Sequence, residues 1–342
     1  MDAIELIRDE DLRTQLARVS PGPGYQTLVE MLVKTQHERD AEAQLGAIAR
    51  RRLRVRNELK QDCFEHDDRH HIHSVLALCG LPYREPGDAR EYVREYGKNS
   101  LAVQAGFLKD PETGRMVQQG LPYGPKARLL LLHICTMAVR QKSPEIAIAD
   151  SMSAFIRDLG FAVTGGKRGT IVQFKEQLNR LAAARMQIGL WHGSRTTTIN
   201  AQPIRSLDIW LPTDPGQRVL WSSSLKLDKE FYESLREHAL PVDIRLLRAF
   251  SQSAKQIDIV LWLGYRLQNV KRRYTISWEA LQEQFGTNVK ETWKFKQGFV
   301  EDLRAILEVI PHLPLILAEE GVTLLPNDGR ALLEKEVRKL PT

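Results

Sequence analysis

Across 342 residues, 49 lysines and arginines stand against 43 aspartates and glutamates, a net charge of +6, and 42% of residues are hydrophobic. That hydrophobic content is normal for globular cores, and the charge favours a polyanionic partner wherever it clusters. The cysteines Cys63, Cys79 and Cys135 are far apart and odd in number, which excludes a disulfide framework or a zinc ribbon and fits a reducing compartment. The opening MDAIELIRDEDL is acidic, with no basic segment or apolar core, and the apolar run Leu129–Leu132 is too short to span a bilayer. The expected setting is therefore cytoplasmic, with no membrane contact.

Residues 1–20 form a charged amphipathic segment that Ser20-Pro21-Gly22-Pro23-Gly24 breaks. Leu28, Leu32, Leu45, Ile48, Leu53 and Leu59 then predict one long polar helix over residues 27–66. Its basic run of Arg50, Arg51, Arg52, Arg54, Arg56 and Lys60, opposed by Glu58, reads as a solvated face or as a contact for DNA or a partner. Cys63, His66, His70 and His73 would share one side of a continuing helix. Ligands spread over about three turns of one helix cannot close a tetrahedron, so no metal site is expected. The alternation of Ser100–Phe107 and the turn Asp110-Pro111-Glu112-Thr113-Gly114 predict a hairpin over residues 100–120.

Residues 121–185 carry the strongest pattern. After Pro125, apolar residues recur at Leu129, Leu132, Cys135 and Val139 and predict a buried helix. Ile146 and Ile148 mark a short strand, Asp150 or Ser151 caps a short helix, and Gly160 closes it. From Thr170 onward Ile171, Phe174, Leu178 and Leu181 form an apolar face beside a stripe of Thr170, Gln173, Gln177 and Arg180. Lys167, Arg168, Lys175 and Arg185 surround the stripe with positive charge, and Lys126 and Arg128 join the candidate DNA contacts. Donors and acceptors ringed by cations are what a helix in the major groove of DNA needs. Gly165-Gly166-Lys167 lacks the spacing of a nucleotide-binding P-loop. Met186–Leu190 and Ser206–Trp210 are expected as wing strands joined by a tip, His192–Thr198, whose Arg195 and Thr196 would touch DNA. Asp214-Pro215-Gly216-Gln217 turns the chain, and Val219–Leu227 returns it.

The second half repeats the order. A linker helix over Pro241–Phe250 precedes a long apolar helix over Ile257–Val270, a basic corner with Arg272 and Arg273, a strand at Tyr274–Ile276, and a Ser277-capped helix ending at Phe285-Gly286. In the next helix Val289, Trp293, Phe299, Val300, Leu303, Leu307 and Ile310 are expected inside. Lys290, Lys294 and Gln297, with Asn288 and Lys296 beside them, form a stripe that either reads bases or coats a core helix with lysine. Leu315–Leu317 and Val322–Leu325 suit a final hairpin around Glu320-Gly321, and Arg330–Thr342 is a charged tail. Two copies of one element order indicate a duplication.

The segments LPYGPKARLLLLHICTMAVRQKS, SMSAFIRDLG, TGGKRGTIVQFKEQLNRL and ISWEALQEQFG with FKQGFVEDLRAIL resemble the plasmid-encoded RepA family of bacterial replication initiators, over residues 73–325. Its most specific parts fall on Gly165–Thr170 and on Tyr123, Gly124 and Arg128. The expected fold is α+β: a helical N-terminal extension (1–72), winged-helix domains at 73–235 and 236–330, and a charged tail (331–342). The resemblance implies an initiator that binds repeated duplex sites at a plasmid origin, helps open an AT-rich region and brings in host replication proteins, such as the host initiator and helicase. It also implies monomers on the repeats and dimers in autorepression. Two winged helices about one helical turn apart on DNA predict direct repeats. A metal-dependent nuclease needs paired carboxylates. Asp67-Asp68 and Glu319-Glu320 lie in polar segments, so neither an enzymatic activity nor a cofactor is expected. A transcriptional regulator without a replication role would use the same DNA contacts.

Overall fold

The computed structural model describes residues 3–61, 68–97, 99–110, 113–147, 149–164, 168–192, 195–208, 224–268, 270–286 and 289–327. A 3-10 turn at Ala3–Leu6 leads into α1 (Glu10–Ala17), α2 (Tyr25–Gln44) and α3 (Ala47–Lys60). The buried Gln36 of α2 accepts the backbone N–H groups of Arg8 and Asp9 at 2.9 and 2.8 Å, joining the two helices above a small core of Ile7, Leu12, Leu16, Val29 and Leu32. The single helix expected over 27–66 is broken at Leu45-Gly46, where Leu45 is extended. Arg50 reaches back to the carbonyls of Glu42, Ala43 and Leu45, satisfying acceptors that the end of α2 leaves open. His66 and Cys63 lie outside the described residues.

Two halves then follow one plan. The first runs β1 (Arg69–His73), α4 (Ser74–Leu78), α5 (Gly124–Gln141), β6 (Glu145–Ala147), α6 (Ala149–Asp158), α7 (Thr170–Ala183), β9 (Ile204–Asp208) and β10 (Ser224–Leu227). Inserted before α5 are β2 (Glu91–Tyr96), β3 (Asn99–Gln104), β4 (Phe107–Lys109) and β5 (Met116–Gln118), and after α7 come β7 (Arg185–His192) and β8 (Arg195–Ala201). Helix α8 (Lys229–His238) links to the second half: β11 (Ala239–Asp243), α9 (Ile244–Ala249), α10 (Ala254–Leu267), β12 (Tyr274–Ser277), α11 (Trp278–Phe285), α12 (Thr292–Val309), β13 (Leu315–Leu317) and β14 (Gly321–Leu324). Each half ends in a three-stranded antiparallel sheet with the same order, β6-β10-β9 and β12-β14-β13. One continuous core serves both. Among the described residues no helix is long and apolar enough to cross a membrane.

The halves meet about a local two-fold. Strands β1 and β11 pair antiparallel with Arg69 opposite Asp243, His71 opposite Pro241 and His73 opposite Ala239. His73 and Asp243 each cap the helix that follows, through Val75 N–H and Arg245 N–H, so they are equivalent positions and the pairing is symmetric about His71–Pro241. Helices α5 and α10 also join the halves. Arg128 and Asp258, each the fifth residue of its helix, form a buried ion pair at 2.6 and 2.8 Å. Arg128 also donates to the carbonyls of Leu81, Pro82 and Gly124. At Gly80 any Cβ would collide with the Asp258 carboxylate, so this crossing requires glycine.

Caps and turns follow local chemistry. Ser277 accepts Ala280 N–H, and Gly160 ends α6 with φ of 76°, a conformation open to glycine without strain. Asp228 accepts the N–H groups of Glu230 and Phe231 at 3.0 and 3.2 Å. Asp228→Ala should therefore cost about 0.5–2 kcal/mol in urea unfolding, and Asp228→Asn much less.

Several expectations are corrected. Met186–Leu190 belongs to a four-stranded sheet ordered β2-β3-β7-β8, because Leu101 and Val103 cover it from β3. The hairpin beside α7 is instead β9–β10, and its turn, with Asp214–Gln217, lies outside the described residues. The hairpin expected over 100–120 is β4–β5 around the Asp110–Gly114 turn, while Ser100–Gln104 is a central strand. His70 and His73 sit on a strand and not on a helix. The tail 330–342 lies outside the described residues.

Candidate nucleic-acid interface

Helix α7 buries Ile171, Phe174, Leu178 and Leu181, as their spacing requires. Thr164 accepts the N–H of Thr170 at 3.0 Å and its hydroxyl meets that of Thr170 at 3.2 Å, closing the N-terminal end of the helix. The exposed stripe is Val172, Gln173 and Glu176, with Arg168 exposed just before it. Gln173 donates to the Arg168 carbonyl at 3.0 Å. Lys175 is half-buried, and burial lowers its pKa.

Two members of the expected reading stripe turn inward. Gln177 is buried and accepts Tyr123 N–H at 2.9 Å. Arg180 keeps 13% of its side chain exposed and pairs with Glu85 and Glu176 at 2.7 and 2.6 Å. Its guanidinium also stacks 4.9 Å from the centre of the Tyr123 ring and donates to Leu121 O. Gln177 holds Tyr123 against α7, and Arg180 holds Glu85 and Leu121 there. Arg128 is equally unavailable: burial alone would lower its pKa, but the attraction of Asp258 outweighs burial and the net shift is upward. Burial pushes Asp258 up, and Arg128 pulls it back only in part. The two-pronged contact with a permanently charged guanidinium keeps that carboxylate ionised. Lys126 lies half-buried over the Phe161 and Phe174 rings, 5.5 and 6.0 Å from their centres, with its pKa lowered by burial.

In the second half α12 buries Phe295, Phe299, Leu303, Ile306 and Val309. Trp293, expected inside, is 68% exposed. Lys290, Trp293, Lys294 and Gln297 form one exposed stripe, so Lys290, Lys294 and Gln297 stand where their spacing placed them. Lys296 is turned aside, 5.2 Å over the Trp278 ring and donating to Glu319 O at 3.0 Å. The turn between β13 and β14 is acidic, with Glu319 and Glu320 exposed, and offers a phosphate no cation.

The remaining candidates lie apart. Arg195 and Thr196 are exposed on β8, at the edge of the four-stranded sheet, and not on the β9–β10 hairpin. Arg272 and Arg273 are exposed before β12, whose first residue pairs with Leu324 and whose last pairs with Gly321. They therefore sit at the far end of that sheet from the hairpin turn. Lys167 and Asn288 lie outside the described residues. Of the basic run on α3, Arg51 donates to Ser251 Oγ at 2.9 Å, Arg52 stands 3.7 Å from Glu308 and 5.6 Å over the Phe250 ring, and Glu58 pairs with Arg248 at 3.0 Å. That helix face docks within the chain. Val172 is the member of the α7 surface that sequence reasoning missed. Its signal was available: valine two positions before Phe174 falls outside the apolar repeat.

No curated protein gives a significant match to the chain. Two crystal structures of domains 2 and 3 of RctB, one a selenomethionine derivative, are similar to it with TM-scores of 0.45 and 0.42 and identities of 8% and 10%. Each covers 68% of this chain, with 85% and 82% of the RctB chains aligned. A family model described as plasmid encoded RepA protein matches residues 121–280, the stretch from just before α5 into the first turn of α11. Over that segment the chain is similar to the plasmid-encoded RepA protein family.

Proposed function

We propose that the chain is a plasmid replication initiator that binds duplex DNA through two winged helices, with α7 and α12 as the helices that enter the major groove. The carrying observation is the repetition itself. Twice, a helix–strand–helix–helix unit with a three-stranded sheet leaves one polar stripe of its last helix open, ringed by Arg168 in the first half and by Lys290 and Lys294 in the second. A duplicated core needs no duplicated free stripe, whereas a groove reader does. The chain acts as a binder and not as an enzyme, with host replication proteins recruited by the assembled complex and homodimers reserved for repression of its own gene.

The local two-fold revises the target. Two readers related by a two-fold meet DNA in opposite orientations, so one chain covers an inverted pair of unlike half-sites. Direct repetition then belongs to successive chains along an origin.

Anisotropy with a randomised duplex tests this. Affinity should fall steeply with salt, and Lys290→Ala should flatten the log–log slope by about 0.9. A slope near zero would exclude a duplex binder. Supercoiled plasmid incubated with Mg²⁺ should stay unnicked.

A further inference from the structure

Val172 and Trp293 share one local pattern in the two repeats. Val172 precedes the buried Phe174 by two residues and Leu178 follows Phe174 by four. Trp293 stands in the same relation to Phe295 and Phe299, and all four followers are at most 2% exposed. A lysine lies over the buried rings in each half: Lys126 over Phe174, and Lys255 over Phe295 and Phe299, each at 5.5–6.0 Å. With the helices aligned in this way, Gln173 falls on Lys294 and Glu176 on Gln297. Both repeats therefore place one exposed apolar side chain, 41% exposed for Val172 and 68% for Trp293, between polar groups at the centre of the open stripe.

Neither side chain serves the fold. Valine on a solvated helix face loses side-chain freedom without burial in return, and an exposed indole leaves a large apolar surface in water. Recurrence of this pattern points to a shared use. Lys290, Lys294 and Gln297 surround Trp293, and lysine is depleted at the cores of protein interfaces, so the surrounding charge selects a polyanion over a protein partner. In the major groove the one apolar feature of a base pair is the thymine methyl group.

We infer that Val172 and Trp293 are specificity residues, each packing against a thymine methyl in one of two half-sites. This rests on the duplex-binding reading above and assigns its base chemistry. Gln173 beside Val172 supplies an acceptor and donors suited to an adenine edge, and Lys294 beside Trp293 supplies a donor suited to guanine.

The full chain would select duplexes from a random pool, and each thymine of the selected site would then be replaced singly by deoxyuridine, which lacks the methyl. One thymine in each protected tract should carry a penalty of about four-fold in Kd, the worth of one buried methyl. Val172→Ala should abolish the penalty in one tract only and Trp293→Ala in the other, while Trp293→Leu keeps part of it. Both side chains are exposed, so unfolding curves should not move. Penalties that persist in both alanine variants, or no sensitive thymine in a selected site, would overturn the assignment while leaving duplex binding intact. Failure to bind any duplex would instead remove the reading on which it rests, and the assignment with it. A changed oligomeric state in Val172→Ala or Trp293→Ala, with DNA affinity unaltered, would mark the stripes as contacts between copies and overturn it too.

Discussion

Asp258→Ala should destabilise the chain by about 3–5 kcal/mol in urea unfolding, because it leaves the Arg128 guanidinium buried without its counter-charge. Arg128 is 3% and Asp258 5% exposed, and their contact joins α5 to α10 at equivalent positions of the two halves. The three carbonyls that Arg128 also satisfies do not replace a negative charge. Replacing both partners by apolar residues of similar volume, as in Arg128→Met with Asp258→Leu, should recover part of the loss, since neither charge then remains to be desolvated, while the Leu81 carbonyl loses its Arg128 donor. Recovery would show that the site demands pairing more than charge. A loss below about 1 kcal/mol for Asp258→Ala would mean the pair is solvated in solution and the halves do not close on it.

The second large effect is acid lability between pH 6.5 and 5. His73 is fully buried, with Nδ1 accepting Val75 N–H and Nε2 at 2.9 Å from Ser234 Oγ. Burial, followed by the charge of His238, lowers its pKa to about 3. His133, stacked 4.2 Å from Phe155, is lowered to about 3 by burial, with His70 and Arg140 adding to it. Both are neutral in the folded chain and take up protons on unfolding once the pH falls below the ordinary histidine value of about 6.5. Stability is therefore fully present above pH 6.5 and falls as the pH drops toward 3, by up to about 1.4 kcal/mol per pH unit for each histidine. Most carboxylates stay ionised in the upper part of that window, so the slope there reports the imidazoles. His133→Phe, which keeps the stacking on Phe155, should halve it. A flat profile from pH 6.5 to 5 would mean that His73 and His133 are reached by water.

What was legible in the sequence was what local physics controls. The apolar spacing of Ile171, Phe174, Leu178 and Leu181 gave a buried face that the fold keeps, and Ser277 and Gly160 mark helix ends where they were expected. The repeated element order was visible for the same reason. Strand β2 was missed because EYVREY is polar and half-exposed along its length, so its place depends on pairing with β3. Gln177 and Arg180 were misplaced because a polar flank next to an apolar face is open only if nothing packs on it, and Tyr123 and Glu85 come from distant segments. Trp293 was assigned inward on the face of Val289, Val300, Leu303 and Leu307, although the register set by Phe295 and Phe299 rotates it outward. Arg128 and Asp258 were not recognised as partners, since opposite charges at matching positions look unrelated until the two-fold brings them together.

The claim that both α7 and α12 engage one duplex is tested most directly by a hydroxyl-radical footprint of the full chain on DNA that it has itself selected. Two protected tracts centred about 10 base pairs apart are expected. Gln173→Ala should erase one, and Lys294→Ala combined with Gln297→Ala the other. A single tract, or two tracts that both survive in either variant, would contradict the account.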